Sequence, residues 1–291
     1  MNNFKKIVTS LIIVAAATIF FLSACQKEVT SNQNSKRLAV YLTDDPCQYD
    51  SVLIDVRYVE VKIDTSREHM DDDDFGDHDD DGDDDHEHHD NFGTWDTLSS
   101  TPIVYNVMNL RNGIDALLGS ANIPVGAVRK IRITLGTNNS VFIGGVSHSL
   151  TLLPGTGSYV YVRLHDEDMD DDHGNLRLWL DFDVCRSIIL YNGQYYLKVY
   201  LRPFCEHATG EIEGRVLPRD AFPLVKAYNS TDSALAIPRF DDGGEYKIRG
   251  LKEGTYDLLF KASNGYRDSL LTNIQVHRGQ ETNVQLVTLQ H

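Results

Sequence analysis

The chain has 291 residues and a formal net charge of −16. Two stretches without lysine or arginine, residues 69–90 and 166–172, hold 19 of the 43 acidic residues, so the rest of the chain is close to neutral. Nucleic-acid binding needs clustered basic residues, and this composition therefore argues against a nucleic-acid partner.

The N-terminus is typical of a secretory signal that ends at a cysteine. Lys5 and Lys6 precede an apolar run over residues 7–22, and small residues come directly before Cys25. The run is shorter than the roughly 20 residues that a spanning helix needs. We predict removal of residues 1–24 and lipidation of Cys25, which would anchor the chain to a membrane. An ordinary signal peptide and an uncleaved anchor are the alternatives.

The residues after Cys25 are polar. Gln26-Lys27-Glu28 resembles the surface-export signal of lipoproteins in Bacteroidetes, which implies an outer-membrane lipoprotein that faces outward. Residues 25–36 are free of aromatic side chains, and we predict that they form a flexible tether.

Alternating apolar residues predict an all-β fold. Residues 52–63 alternate over a length that indicates a half-buried antiparallel strand. Residues 114–119 are the one short helix that the pattern predicts, with Gly119 ending it. Shorter strands and glycine-rich turns begin near Gly210. We predict two β-sandwich-like domains, residues 37–205 with long acidic loops and residues 206–291.

Three cysteines follow Cys25 in the chain, and export to an oxidising compartment allows one disulfide among them. We favour Cys47 with Cys205, which would tie the ends of the first domain together. Cys185 lies in an apolar strand and is predicted to be a buried thiol. Cys185 with Cys205 is the competing pair.

The first predicted domain resembles a known family. The matching segments are Leu42-Thr43-Asp44-Asp45-Pro46, the strand after Tyr49, Trp95, and Leu180-Asp181-Phe182-Asp183. They resemble the DUF4382 family of bacterial lipoprotein domains, which has no established activity. The resemblance implies a fold but little chemistry, and the acidic insert at residues 69–90 departs from the family in length.

The second predicted domain looks like the carboxypeptidase regulatory-like, transthyretin-type β-sandwich. The resemblance lies in residues 210–216, 242–248 and 250–258, where glycines mark the turns. It implies a scaffold that serves either as a spacer or as a carbohydrate-binding-like module. Alternation predicts that one core is filled by Tyr246, Ile248, Leu251, Tyr256, Leu258 and Phe260.

The acidic stretches suggest a cation site. Carboxylates at alternating positions around a glycine suit Ca²⁺, and the neighbouring histidines suit Zn²⁺. The candidate ligands are Asp77, Asp79, Asp81, Asp83 and Asp85 in the first stretch and Asp168, Asp170 and Asp172 in the second. His88 stands where an EF-hand loop would have its last glutamate. The alternative is a solvated, low-complexity insert without a defined site.

The sequence contains no familiar enzyme signature, such as a nucleophile elbow, a zinc-protease helix or a phosphate-binding loop. We expect a non-catalytic surface module for binding or adhesion, with a glycan or a surface protein as its ligand. Trp95, Trp179 and the tyrosines are candidates for a sugar-stacking surface, although aromatic residues at strand spacing more often belong to a core.

Two other functions compete with this one. The first is a lipoprotein that binds or buffers Ca²⁺ or Zn²⁺ through its acidic loops. The second is an enzyme, which would require a cleft gathering Asp44, Asp181 and Asp183. The alternative role for these three aspartates is hydrogen bonding at turns and strand ends.

Overall fold

The computed structural model describes residues 35–45, 47–65, 93–165 and 168–291. Most of them lie in strands, and the described part contains one α-helix, α1 (Val184–Ser187), with 3-10 turns at Val107–Asn109 and Arg219–Ala221. The prediction of an all-β fold is confirmed. Among these residues no helix is long and apolar enough to cross a membrane.

The strands up to Phe204 form two sheets around one hydrophobic core. They are β1 (Ser35–Asp45), β2 (Ser51–Asp64), β3 (Thr94–Ser99), β4 (Ile103–Asn106), β5 (Ala116–Pro124), β6 (Ala127–Leu135), β7 (Ser140–Ile143), β8 (Val146–Leu152), β9 (Tyr159–Arg163), β10 (Asp170–Asp172), β11 (Asn175–Asp183), β12 (Ile188–Tyr191), β13 (Gln194–Leu197) and β14 (Leu201–Phe204).

The smaller of these sheets has the order β10-β11-β1-β5, with β14 also paired to β11. The larger, nine-stranded sheet has the order β12-β13-β8-β7-β2-β6-β9, with β3 and β4 along β2. The predicted alternation of β2 places Val59, Val61 and Ile63 in the core between the sheets, where they are fully buried. Tyr58 and Glu60 therefore point away from the core, because neighbouring side chains leave a strand on opposite faces.

The predicted helix at residues 114–119 is wrong. Ala116–Pro124 is the strand β5, which pairs antiparallel with β1. Leu118 is buried and Leu117 is half exposed, which fits a strand. A Cβ at Gly119 would lie 2.9 Å from the backbone of Leu98, so this glycine permits close approach of a neighbouring strand rather than ending a helix.

The strands from Gly210 onward form two four-stranded sheets around a separate hydrophobic cluster. They are β15 (Gly210–Leu217), β16 (Leu224–Tyr228), β17 (Ser233–Ala236), β18 (Glu245–Leu251), β19 (Gly254–Lys261), β20 (Ser269–Val276), β21 (Glu281–Asn283) and β22 (Val287–Thr288). One sheet has the order β18-β15-β21 with β22 also on β15, and the other has the order β17-β16-β19-β20. All six residues predicted to fill this core are buried.

The predicted Cys47–Cys205 disulfide is also wrong, because the structure joins Cys47 to Cys185 with a Cα–Cα distance of 5.3 Å. β1 and β11 are parallel neighbours with Asp45 opposite Asp183, and each of the two cysteines is the second residue after its strand. Their side chains are thus brought together at the same end of the sheet.

We call the region from β1 to Cys205 the first body and the region from β15 to β22 the second body. Cys205 lies elsewhere in the first body. It follows β14, which runs antiparallel to β11 and ends opposite Trp179, away from the last residue of β11. Cys205 is a buried thiol outside the disulfide, and burial raises its pKa to about 12. It therefore remains protonated and unreactive at neutral pH.

The outer face of the smaller sheet packs against the second body. Trp179 is only 4% exposed; its ring stacks on Tyr41 and lies 6.2 Å from the ring of Phe204. Its indole N–H donates to Asp115 at 2.8 Å, and Arg249 of the second body donates to the same carboxylate at 3.2 Å. The joint between the two bodies is therefore both aromatic and charged.

Candidate functional site

Four neighbouring strands of the larger sheet, β3, β2, β6 and β9, place aromatic and basic side chains on the outer face. Glu60 is opposite Arg132, and Arg132 is opposite Tyr161. In the next row Trp95 is opposite Lys62. We call the outward-facing group of Tyr58, Trp95, Arg132, Tyr159 and Tyr161 the aromatic platform.

Arg132 is the centre of the aromatic platform. Its guanidinium lies 4.3 Å from the ring centroid of Trp95 and 5.4 Å from that of Tyr159. It also donates two hydrogen bonds to Glu60, at 2.8 Å and 2.7 Å. These bonds raise the pKa of Arg132 above its ordinary value and fix the plane of the guanidinium between the rings.

The rings of the platform are accessible to a ligand. Tyr58, Tyr159 and Tyr161 are 49%, 52% and 51% exposed, and Trp95 is half-buried. The ring of Tyr161 lies 6.4 Å from Trp95 and 6.3 Å from Tyr159, with tilts of 52° and 40°. The surface is therefore stepped rather than flat, and a patch of exposed aromatic rings on a sheet is typical of a contact surface.

Basic side chains border the platform on one side. Lys130 and Arg163 lie opposite one another on β6 and β9, and the Lys130 ammonium is 5.4 Å from the ring centroid of Tyr161. Together with the Arg132–Glu60 pair they supply hydrogen-bond donors and acceptors around the rings. The platform thus combines apolar ring faces with fixed polar groups, which is the usual composition of a small-molecule site.

Sequence reasoning named Trp95 and the tyrosines as a group, without singling out Tyr58, Tyr159 and Tyr161, and it missed Arg132. The alternation of β6 and β9 does show which residues face outward. It does not show that β9 lies beside β6, and that adjacency brings the tyrosines to Arg132. The other predicted stacking residue, Trp179, is buried in the joint and is not part of the platform.

The candidate metal ligands of the second acidic stretch do not converge. Asp168 accepts a hydrogen bond from the backbone N–H of His165 at 2.7 Å, and exposed Asp172 contacts His173. Asp170 is buried and accepts a hydrogen bond from the backbone N–H of His207 at 3.1 Å. Over the described ranges no three His, Cys, Asp or Glu side chains are grouped to hold a metal ion.

The other predicted site residues lie outside the described residues. They are Cys25 and the five aspartates Asp77, Asp79, Asp81, Asp83 and Asp85. Lipidation of the cysteine and Ca²⁺ or Zn²⁺ binding by the aspartates stay predictions from the sequence.

Asp181 and Asp183, two of the aspartates considered for catalysis, have structural roles. Asp181 accepts a hydrogen bond from Arg202 at 2.9 Å, and burial raises the pKa of this carboxyl group. Asp183 is the N-cap of α1 and accepts from the backbone N–H of Arg186 at 2.9 Å. Asp44 is buried near the end of β1. For Asp181 and Asp183 the contacts match hydrogen bonding at strand ends.

A family model described as "Domain of unknown function (DUF4382)" matches residues 36–199, more than half of the chain. The chain belongs to the DUF4382 family. The matched region takes in the described strands from β1 to β13, so every residue of the aromatic platform lies within the DUF4382 domain. The predicted resemblance of the first domain is confirmed.

Comparison with curated proteins finds no match. Among solved structures, the TIE protein of Bacillus anthracis is 12% identical at a TM-score of 0.20, and the match covers 88% of this chain but only 34% of that protein. The minor pilin GBS52 of Streptococcus agalactiae is 11% identical at a TM-score of 0.20, with 88% and 95% of the two chains covered.

A fimbrial protein from Bacteroides ovatus gives a TM-score of 0.22 at 12% identity, over 88% of this chain and 50% of that one. Structural agreement at these TM-scores is too low to support an argument about this chain.

Proposed function

We propose that the chain is a non-catalytic, lipid-anchored module of the cell surface that binds a glycan through the aromatic platform. The observation that supports this function is the cluster of exposed rings around Arg132. Aromatic faces bind the C–H faces of sugar rings, while flanking charged and amide groups bind hydroxyls.

The platform is organised before a ligand arrives. Arg132 is held by two hydrogen bonds to Glu60, and its partners lie on paired strands of one sheet. Arg132 therefore has little side-chain freedom left to lose on binding, which improves affinity. Because the rings are tilted relative to one another, the platform suits a single flexible glycan chain better than the flat surface of a crystalline polysaccharide.

Truncation of the platform is expected to weaken glycan binding. We expect Trp95→Ala or Tyr161→Ala to lower affinity by about 5- to 30-fold, because each removes a stacking face worth about 1–2 kcal/mol. The measurement is affinity electrophoresis of the full chain in detergent through gels containing xylan, laminarin, arabinogalactan or mucin.

Tyr191→Ala is the matched control, since Tyr191 is 64% exposed and lies on β12, outside the platform. Its mobility should equal that of the wild type in every gel. Retardation that persists in the Trp95 and Tyr161 variants, or no retardation of the wild type by any polysaccharide, would refute the platform as a glycan site.

The anchor is tested separately. Cells expressing the wild-type chain should incorporate labelled palmitate into it, and Cys25→Ser should abolish the label because the variant lacks the thiol that accepts the lipid. The variant should also leave the detergent phase on phase separation. Labelling of Cys25→Ser equal to that of the wild type would contradict the lipoprotein assignment.

A further inference from the structure

The joint between the two bodies carries a groove that is distinct from the aromatic platform. We infer that this groove is a second binding site and that its ligand is a short, uncharged oligosaccharide. It has a volume of about 660 Å³ and lies between α1, the start of β14 and the β16–β17 hairpin. Its lining includes Arg186, Tyr200, Arg202, Tyr228 and Asp232.

The floor of the groove is a fixed polar network. Arg202 of the first body donates to Asp181 at 2.9 Å and to Asp232 of the second body at 3.2 Å. Asp232 also accepts from the hydroxyl of Tyr256 at 2.7 Å and from the backbone N–H of Lys252 at 3.1 Å. The Arg202–Asp232 contact crosses the joint and links the two sides of the groove in the absence of a ligand.

One wall is the β16–β17 turn, which is also preorganised. The side-chain oxygen of Asn229 accepts from the backbone N–H groups of Thr231 at 2.9 Å and Asp232 at 2.8 Å. The turn holds Ser230 and Thr231 at the rim, where both are exposed. Hydroxyl groups of this kind can donate to and accept from sugar hydroxyls.

Two half-buried aromatic rings complete the lining. The ring of Tyr200 lies 4.6 Å from the guanidinium of Arg186, and the ring of Tyr228 lies 5.6 Å from the ammonium of Lys226. An aromatic face next to a hydrogen-bond donor such as Arg186 or Lys226 suits a sugar ring, since one side of the sugar is apolar and its edge carries hydroxyls.

The charges of the lining identify the class of ligand. Its three carboxylates, Asp181, Asp183 and Asp232, are matched by three cations, Arg186, Arg202 and Lys226. Arg202 contacts two of the carboxylates, and Arg186 lies 3.8 Å from Asp183. A charged ligand would compete with these pairs for Arg202 and Arg186 or for their aspartates, whereas an uncharged oligosaccharide would not. The volume is within the roughly 300–1,000 Å³ of ordinary ligand sites.

Calorimetric titration of the full chain in detergent tests the inference. The uncharged probes are cellohexaose, xylohexaose, mannohexaose and laminarihexaose, and the charged probe is an oligogalacturonate. We expect at least one uncharged probe to bind and the charged probe not to bind. Tyr228→Ala and Arg186→Ala should each lower the affinity of that uncharged probe at least tenfold. Tyr191→Ala should not change it.

Arg186 is 69% exposed, so its substitution leaves the fold intact and a loss of binding reports on the groove. The inference is overturned if no uncharged probe binds, if the charged probe binds more tightly, or if binding survives both Tyr228→Ala and Arg186→Ala. The groove is tested with the Tyr228 and Arg186 variants and soluble oligosaccharides. The platform is tested with the Trp95 and Tyr161 variants and polysaccharides. Either site can therefore fail alone.

Discussion

Replacement of both Cys47 and Cys185 by serine is expected to lower the free energy of unfolding by up to about 5 kcal/mol. The disulfide links residues 138 positions apart in the sequence. Its reduction returns conformational freedom to a long loop of the unfolded chain, and that freedom grows with loop length. The effect is a large share of the 5–15 kcal/mol that is typical of a folded domain.

Urea unfolding of the full chain in detergent, followed by circular dichroism, measures this effect. Reductant should shift the midpoint of the wild type to that of the double serine variant and leave the variant unchanged. Cys205→Ala should keep the sensitivity to reductant, because Cys205 is outside the disulfide. Loss of that sensitivity in Cys205→Ala would instead support a disulfide that includes Cys205, as the sequence suggested.

Trp179→Ala is expected to destabilise the fold by about 3–5 kcal/mol. The side chain is 4% exposed and lies between Tyr41 and Phe204, with ring centroids 5.3 Å and 6.2 Å away. The substitution leaves a cavity at the joint and removes the indole N–H that donates to Asp115. The carboxylate would keep its bond to Arg249, so the cost comes mainly from lost packing.

The matched variant is Trp95→Ala, which removes the same side chain from an exposed face. We expect it to change the free energy of unfolding by less than about 1 kcal/mol, since it leaves no core cavity. Thermal and urea unfolding of both variants give the comparison. An equal loss of stability in the two variants would contradict the assignment of Trp179 to the joint and Trp95 to the platform.

The strand alternation in the sequence predicted much of the packing. Val59, Val61 and Ile63 of β2 are buried as their period of two requires, and the six predicted core residues of the second body are buried as well. Residues 114–119 were mispredicted because a short apolar run is compatible with either a helix or a strand. Pairing of β5 along β1 decided in favour of a strand, and that pairing is between distant parts of the chain.

The disulfide pairing also depends on contacts between distant parts of the chain. Cys47 and Cys185 each follow a strand at the same spacing, but this spacing matters only when β1 and β11 are known to be parallel neighbours. A cysteine count gives the number of possible pairs and not the choice among them.

By itself the sequence determined the all-β class, the buried side of the regular strands and the resemblance to the DUF4382 family. Only the tertiary structure decided whether each of the two tryptophans is buried or exposed. Both point away from the hydrophobic core of the first body. Trp179 is covered by the second body, whereas Trp95 stays at the surface with tyrosines from β9. Local alternation fixes the face of a strand that a residue occupies, but what covers that face depends on strand order and on packing between segments far apart in the sequence.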